Sequence, residues 1–569
     1  MNKTWWKEAV CYQVYPRSFM DSNGDGVGDI KGLISKLDYL QELGIDVIWI
    51  CPFYKSPNAD NGYDISDYQA VSDEFGSIED IDLLLKDVHG RGMKVILDLV
   101  LNHTSDEHPW FVESRSSRDN PKRDWYIWRD GQDGREPNNW ESIFSGSAWK
   151  FDERTNQYYL HLFAEKQPDL NWKNPDVRKA LYEMVNWWLD KGIDGFRIDA
   201  ITHIHKREGL PDMPNPYWHQ YVPAFEMHTN QDGILDYLQE LKEETFSKYD
   251  IMTVGEANGV RIEQAEEWVG ESNGKFNMIF QFEHLGLWNR GQNHAVDVQG
   301  LKRTMTKWQK GLKNKGWNAL FFENHDQPRS VSTWGNDHQY WLESAKMIGA
   351  LYFFMQGTPF IYQGQEIGMT NVQFDSIDDY DDVGMKNFYR IETSKGRPHD
   401  EIMNIIWHSG RDNSRTPMQW NDIENGGFTH GTPWMRVNPN YRAINVEQQK
   451  NDPSSIYHFY KKMIELRKKH QVLVYGEYEL LWEDHPDLYI YTRTMNDNSV
   501  MVVCNFSMNH HQIDLSYWGE WNFCWLIMRI VLRCRLLIYV HMKRGFIVID
   551  FYGLDWKWLK TYVVSRLTS

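Results

Sequence analysis

Eight short β-rich runs alternate with amphipathic helical stretches along this chain, and acidic residues stand at the ends of three of the runs. Together these features predict an α/β protein, a TIM (β/α)8 barrel with an inserted subdomain after strand 3 and a C-terminal antiparallel β-domain. The runs cover residues 10–15, 47–51, 94–100, 195–199, 251–256, 278–282, 319–324 and 359–363. Functional side chains of such a barrel gather at the C-terminal ends of its strands.

The helical stretches lie between the runs. Residues 30–43 place Ile30, Leu33, Ile34, Leu37, Leu40 and Leu43 at helical spacing, and 175–190 is a second long candidate. The interval between the third and fourth runs is too long for a barrel loop. Residues 104–171, rich in Trp, Asp, Asn and Gly, read as an inserted subdomain B. The barrel then comprises 1–103 and 172–478. Short alternating strands from 479 to 569 form the C-terminal β-domain.

At 569 residues the chain exceeds one compact domain. Its net charge of −19 argues against a nucleic-acid partner, which needs a basic surface. The five cysteines form no CxxC pair and no disulfide framework; Cys11 and Cys51, in apolar runs, are expected to be buried thiols. The N-terminus lacks an apolar signal core, and no run of 18 uncharged apolar residues could span a membrane. The expectation is a cytoplasmic protein, monomeric in the simplest case. The 27 Trp are explained mostly by core filling, with stacking platforms for sugar rings as the functional reading.

The fourth run ends Gly195-Phe196-Arg197-Ile198-Asp199, the fifth ends Val254-Gly255-Glu256, and the seventh leads into Glu323-Asn324-His325-Asp326. One Asp at a strand end is as well explained by a cap or a turn. Three acids converging on one barrel mouth, flanked by Arg197 and His325, suit glycoside hydrolysis, which needs paired carboxylates around the scissile bond.

GFRID, VGE and ENHD, with DLVLNH at 98–103, resemble the four signature regions of the α-amylase superfamily, glycoside hydrolase family 13. QPDLNW at 167–172 resembles a fifth region, of the oligo-1,6-glucosidase and α-glucosidase kind. The resemblance runs from Trp5 to about Phe506. It implies that Asp199 is the nucleophile, Glu256 the acid and base, and Asp326 the residue that stabilises the charged ring. It further implies that Arg197 keeps Asp199 ionised and that His103 and His325 bond sugar hydroxyls.

In relatives that cut from a chain end, an Asp and a Tyr after the second strand hold the terminal glucose; Asp60 and Tyr63 match them here. Arg411 resembles the arginine that closes the same pocket, so an Asp60–Arg411 pair would wall it off and make the enzyme exo-acting. Phe144, Phe163, Gln167 and Arg415 are further candidates for its lining. Ala200, beside the nucleophile, resembles the Ala or Thr of α-1,4-acting relatives, where Val accompanies α-1,6 cleavage. The expectation is therefore an α-1,4-glucosidase of maltose and short malto-oligosaccharides. An oligo-1,6-glucosidase, a trehalose-6-phosphate hydrolase or a sucrose-active relative are the alternatives. A non-catalytic binding relative is disfavoured because all three acids are retained.

The segment 21–29, Asp21-Ser22-Asn23-Gly24-Asp25-Gly26-Val27-Gly28-Asp29, offers oxygen donors at alternate positions. Such donors suit Ca²⁺, and the glycines let the backbone wrap an ion. The loop resembles the structural calcium loop of relatives, with Asp21, Asn23, Asp25 and Asp29 giving side chains and Val27 its carbonyl. No organic cofactor is expected. From Trp521 onward eight Lys or Arg stand against two Asp, Pro is absent, and the pattern follows neither strand nor helix. This tail, 521–569, is expected to be atypical for the family, as a shifted reading frame would make it.

Overall fold

The computed structural model describes residues 3–288, 296–509, 511 and 513, together with four strands between 526 and 566. The barrel strands are β1 (Cys11–Val14), β2 (Val47–Ile50), β3 (Lys94–Val100), β4 (Gly195–Asp199), β5 (Met252–Glu256), β6 (Met278–Phe280), β7 (Ala319–Leu320) and β8 (Thr358–Tyr362). Each pairs in parallel with its neighbour in chain order, and β1 pairs with β8. A parallel bridge from Ile279 to Asn318 joins β6 to β7 and closes the ring. This is the TIM barrel that the alternating runs predict. The seventh run is shorter than expected: after Leu320 the chain leaves the sheet and crosses the mouth as a loop carrying Glu323 to Asp326.

The two-residue period of a strand sorts side chains between two cores. Cys11, Val47, Trp49, Ile96, Met252, Val254, Met278, Phe280, Ala319 and Phe360 fill the barrel interior. The alternate residues Ile48, Leu97, Phe196 and Ile198 pack outward against the helices. Continuing the inward face by one more pleat gives Gln13 after Cys11, Asp98 after Ile96 and Glu256 after Val254. On β4 the same face carries Arg197 and Asp199. The polar top layer of the barrel is thus fixed by strand register. Gly195 is required where β4 starts: its φ is +142°, and a Cβ there would lie 1.8 Å from the Met252 carbonyl oxygen on β5.

The outer helices follow local signals. The stretch expected as one helix forms two, α1 (Ile30–Ser35) and α2 (Leu37–Leu43), which break at Lys36 and end on left-handed Gly44. Asp29 caps α1 through the Gly32 N–H, and the buried Leu33, Leu37, Leu40 and Leu43 keep a common apolar stripe across the break. α3 (Ile78–Gly90) begins with a capping box between Ser77 and Asp80. α4 (Pro175–Asp190) spans the residues expected, with Asn174 capping and Pro at its first position.

Between β3 and α4 the chain forms a three-stranded antiparallel sheet of Trp128–Arg129, Gln157–Leu160 and Trp149–Asp152. Its residues Trp140, Trp149, Leu160 and Leu162 form a small core of their own with Ala224 and Met227 from the loop after β4. Beyond the barrel, β9 (Glu477–Leu481), β10 (Leu488–Met495) and β11 (Asn498–Asn505) form an antiparallel sheet. It is anchored on the barrel by Arg493, which is fully buried and donates to the Phe354, Leu473, Val474 and Gly476 carbonyls. Of 521–569, the strands Leu526–Ile527, Leu537–Lys543, Phe546–Tyr552 and Tyr562–Arg566 are described, the last pairing with β11. The remainder of that tail, and with it the expectation of a shifted frame, lies outside the described residues. Cys11 and Cys51 are buried free thiols, as expected. Among the described residues no helix is long and apolar enough to cross a membrane.

Candidate active site

At the C-terminal end of the barrel one guanidinium binds three carboxylates. Arg197 Nη1 lies 2.7 Å from Asp98 Oδ1 and 2.7 Å from Asp199 Oδ1, and its Nη2 lies 2.7 Å from Glu256 Oε2. Glu256 Oε2 also accepts from the Ala200 N–H at 2.9 Å. Ala200 sits in the left-handed region, at φ +43°, which turns the chain sharply out of β4 and points that N–H at Glu256. A β-branched residue would be strained at that φ.

Burial pushes the Asp199 carboxyl up, and the Glu256 and Asp98 carboxylates push the same way against the pull of Arg197. The ion pair expected from the sequence forms, and the Arg197 guanidinium pulls the Asp199 carboxyl down against burial and its acidic neighbours.

From Asp98 the network continues across the mouth. The Tyr63 hydroxyl donates to Asp98 Oδ2 at 2.9 Å and lies 2.6 Å from His325 Nε2; the two rings stack 5.2 Å apart. His325 Nε2 lies 3.0 Å from Asp326 Oδ2, and the Gln13 side-chain amide lies 2.8 Å from Nδ1. Burial opposes a charge on His325, but the adjoining Asp326 carboxylate prevails and holds the imidazole up at about 10. Asp326, although buried, is driven well below the carboxylate range by His325, Arg411 and Arg415. Arg415 donates to Asp326 Oδ1 at 2.8 Å and to the His325 carbonyl at 2.9 Å.

Arg411 closes the far side. Its Nη2 lies 3.3 Å from Asp60 Oδ1 and its Nη1 lies 3.3 Å from Asp326 Oδ1. Asp382 Oδ1 holds the same guanidinium from behind, 2.9 Å from Nη2 and 3.0 Å from Nε. Asp60, whose carboxyl is raised by burial against the pull of Arg411 and Arg415, accepts from Gln167 Nε2 at 3.2 Å. That amide lies 3.1 Å from His103 Nε2. His103 is lowered to about 4 by burial and so is neutral at pH 7. Its ring centroid lies 5.0 Å from that of Phe163, which lies 5.9 Å from that of Phe144, and the Arg411 guanidinium lies 4.7 Å above Phe144.

The fourteen candidate catalytic and binding residues of the sequence, from the barrel and from the inserted segment that carries Phe144, Phe163 and Gln167, therefore stand in one ring. Three members of that ring carried no role in the sequence reading. Asp98 was visible as the inward-facing residue of DLVLNH. Gln13 was visible as the inward continuation of the first run. Asp382 had no local signal, because its role is created by the fold of the loop after β8.

The candidate metal loop lies elsewhere, before α1. Its donors are all oxygens, a chemistry that fits a hard cation. Gly24 and Gly26 have φ of +85° and +93°, and a Cβ on Gly26 would meet the Thr432 carbonyl oxygen at 1.8 Å. The loop already closes on itself: Asp21 accepts from the Asn23, Gly24 and Gly26 N–H groups and from Thr429, Asn23 accepts from Asp25, and Asp25 accepts from Val27. Asp29 accepts from Ser22 and Gly32. Among the described residues no three His, Cys, Asp or Glu side chains form a metal-holding cluster. Any ion here draws also on Asn23 and the Val27 carbonyl.

A pH test follows from His325. Its folded pKa is raised from 6.5 to about 10, so the stabilisation by its charged form is complete below pH 6.5 and is lost as pH rises towards 10. The melting temperature of His325→Asn is expected to fall below that of the parent protein by a few degrees near pH 6, on the order of 1–2 kcal/mol. The deficit should shrink as pH approaches 10. A deficit that stays constant from pH 6 to 10 would contradict the charged pair.

Comparison with known proteins agrees with this geometry. Residues 13–476 match the model of the α-amylase catalytic domain. The chain is 61% identical over 507 residues to probable oligo-1,6-glucosidase 3 of Bacillus subtilis (strain 168), covering 89% of this chain and 92% of that one. It is 48% identical over 492 residues to an alpha-glucosidase of Pediococcus pentosaceus, covering 85% and 88%. Among solved structures, the trehalose-6-phosphate hydrolase of Bacillus licheniformis superposes with a TM-score of 0.88 at 43% identity, covering 99% of this chain and all of that one. The isomaltulose synthase of Erwinia rhapontici NX5 does so with 0.91 at 41%, covering all of both. This chain therefore belongs to the α-amylase family of glycoside hydrolases.

Proposed function

We propose that this protein is a retaining, exo-acting α-glucosidase that releases terminal non-reducing glucose from short α-linked oligosaccharides. The observation that carries the reading is the wall formed by Asp60, Arg411 and Asp326. On this reading the linked side chains would close the pocket beyond one sugar ring, so that only a chain terminus would fit. Tyr63 offers a ring face to the glucose, and His103, His325, Gln167 and Asp326 offer partners for its hydroxyls.

In the proposed reaction Glu256 gives its proton to the glycosidic oxygen while Asp199 attacks the anomeric carbon. The C–O bond breaks, the aglycone leaves as a neutral alcohol, and a covalent β-glucosyl ester forms on Asp199. Glu256, now a carboxylate, takes a proton from water as the water attacks the same carbon. The Asp199–carbon bond breaks, and α-glucose is released with both acids restored. The cluster around Arg197 supports this cycle by geometry: the guanidinium and the Ala200 N–H hold Asp199 and Glu256 side by side at the barrel mouth. Asp326, ionised between His325 and two arginines, would stabilise positive charge developing on the ring.

Two readings of linkage remain. Ala200 supports α-1,4 bonds, whereas relatives such as those of Bacillus subtilis and Bacillus cereus named as oligo-1,6-glucosidases support α-1,6 bonds. We favour α-1,4 on the small side chain beside the nucleophile. Initial rates decide: maltose should be cleaved faster than isomaltose, and the reverse order would establish the α-1,6 reading.

Asp199→Asn should lower kcat by several powers of ten without unfolding the protein, because an amide cannot serve as the nucleophile. NMR of the first product should show α-glucose. A variant retaining more than about 1% of the parent rate, or an initial β-anomer, would reject Asp199 as nucleophile.

We also propose that the 21–29 loop holds a structural Ca²⁺ through Asp21, Asn23, Asp25, Asp29 and the Val27 carbonyl. Chelation should then lower the melting temperature by several degrees, and Ca²⁺ should restore it. An unchanged melting temperature, with no calcium found in the undialysed protein, would remove the ion from the description.

A further inference from the structure

A second concavity lies between the inserted sheet and the loop after β4, with a volume of about 470 Å³. Its charge is opposite to that of the protein. The chain carries −19, yet six Lys or Arg line this cleft against the single acid Asp124. Four of the cations are committed. Arg118 pairs with Asp130, Lys173 with Glu208, and Lys206 with Asp169 at 2.6 Å. Arg123 lies 3.4 Å above the Trp128 ring and donates to Ser114, Thr155 and Gln157.

Arg129 and Arg207 differ. Among the described residues neither has a carboxylate oxygen within 4 Å; Arg129 donates to the Trp128 carbonyl and Arg207 reaches only the Met227 sulfur. Asp124 and Glu208 lie near enough to feel Arg129, but Asp124 is engaged by Asn171 and Glu208 by Lys173. Exposed guanidinium groups without a carboxylate partner leave their forked N–H pairs open to a phosphate.

We propose that this cleft binds a small phosphate monoester of a sugar, with Arg129 and Arg207 taking the phosphate. The volume suits one hexose phosphate. His205 on the wall, held neutral by burial, supplies a partner for a hydroxyl. A polyanion is disfavoured, because the rest of the surface is acidic and the cleft is bounded. The aromatic rings here, Trp128, Trp172 and Tyr126, are buried and offer no exposed face for stacking an uncharged sugar.

Titration calorimetry with glucose 6-phosphate, inorganic phosphate and glucose, on the full chain and on an Arg129→Ala/Arg207→Ala double variant, tests this. Both arginines are exposed and lie outside the catalytic ring, so folding and hydrolysis should be unchanged in the variant. Glucose 6-phosphate should bind the parent protein more tightly than phosphate or glucose alone, and at least tenfold more weakly to the double variant. An affinity for glucose 6-phosphate that survives the double substitution would overturn the site, as would the absence of binding at millimolar concentrations. Inorganic phosphate binding as tightly as the ester would overturn the sugar part of the assignment.

Discussion

The pocket is organised by the buried guanidinium of Arg197. It is 1% exposed, and among the described residues it is the one group that touches Asp98, Asp199 and Glu256 together. Three carboxylates placed this close in a dry barrel mouth would repel one another by several kcal/mol without it, and removing one partner of a buried pair costs about 3–5 kcal/mol. The position of Arg197 is set by strand register, since Phe196 and Ile198 on either side point into the outer core and leave the arginine nowhere to go but inward. Strand pairing thus places the cation, and the cation places the acids.

A second charged centre repeats the arrangement at the far wall. Asp326 accepts from Arg411, Arg415 and His325, while Asp60 and Asp382 hold Arg411 from two sides. Here cations surround an acid, whereas at Arg197 acids surround a cation. The two centres are joined by Tyr63, whose hydroxyl contacts both Asp98 and His325.

Much of this was legible in the sequence because barrel strands carry their own markers. A short run with apolar residues at alternate positions and an acid at its end marks both the strand and the site, as GFRID does for β4. Tertiary override limited the rest. The break at Lys36 leaves the apolar stripe of α1 and α2 intact, so periodicity alone does not detect it. The shortness of β7 reflects the loop that must cross the mouth to bring His325 beneath Tyr63. Asp382 holds Arg411 from 29 positions away, a distance over which no local pattern operates. The balance between burial and ion pairing at Asp199 is likewise invisible in sequence, because it depends on how many acids share one cation.

The Asp60–Arg411 wall has a consequence for traffic. If the exo-acting reading proposed above holds, the pocket has a single opening, and everything that enters or leaves passes through the place where the aglycone would sit. Once the first alcohol departs, the glucosyl ester can be approached only from that side, by water or by another sugar seated where the aglycone had been. At high sugar concentration the enzyme would therefore build new glucosides as well as cleave them. The released glucose must back out through the same opening before the next chain end can seat, so accumulated product would compete directly with substrate.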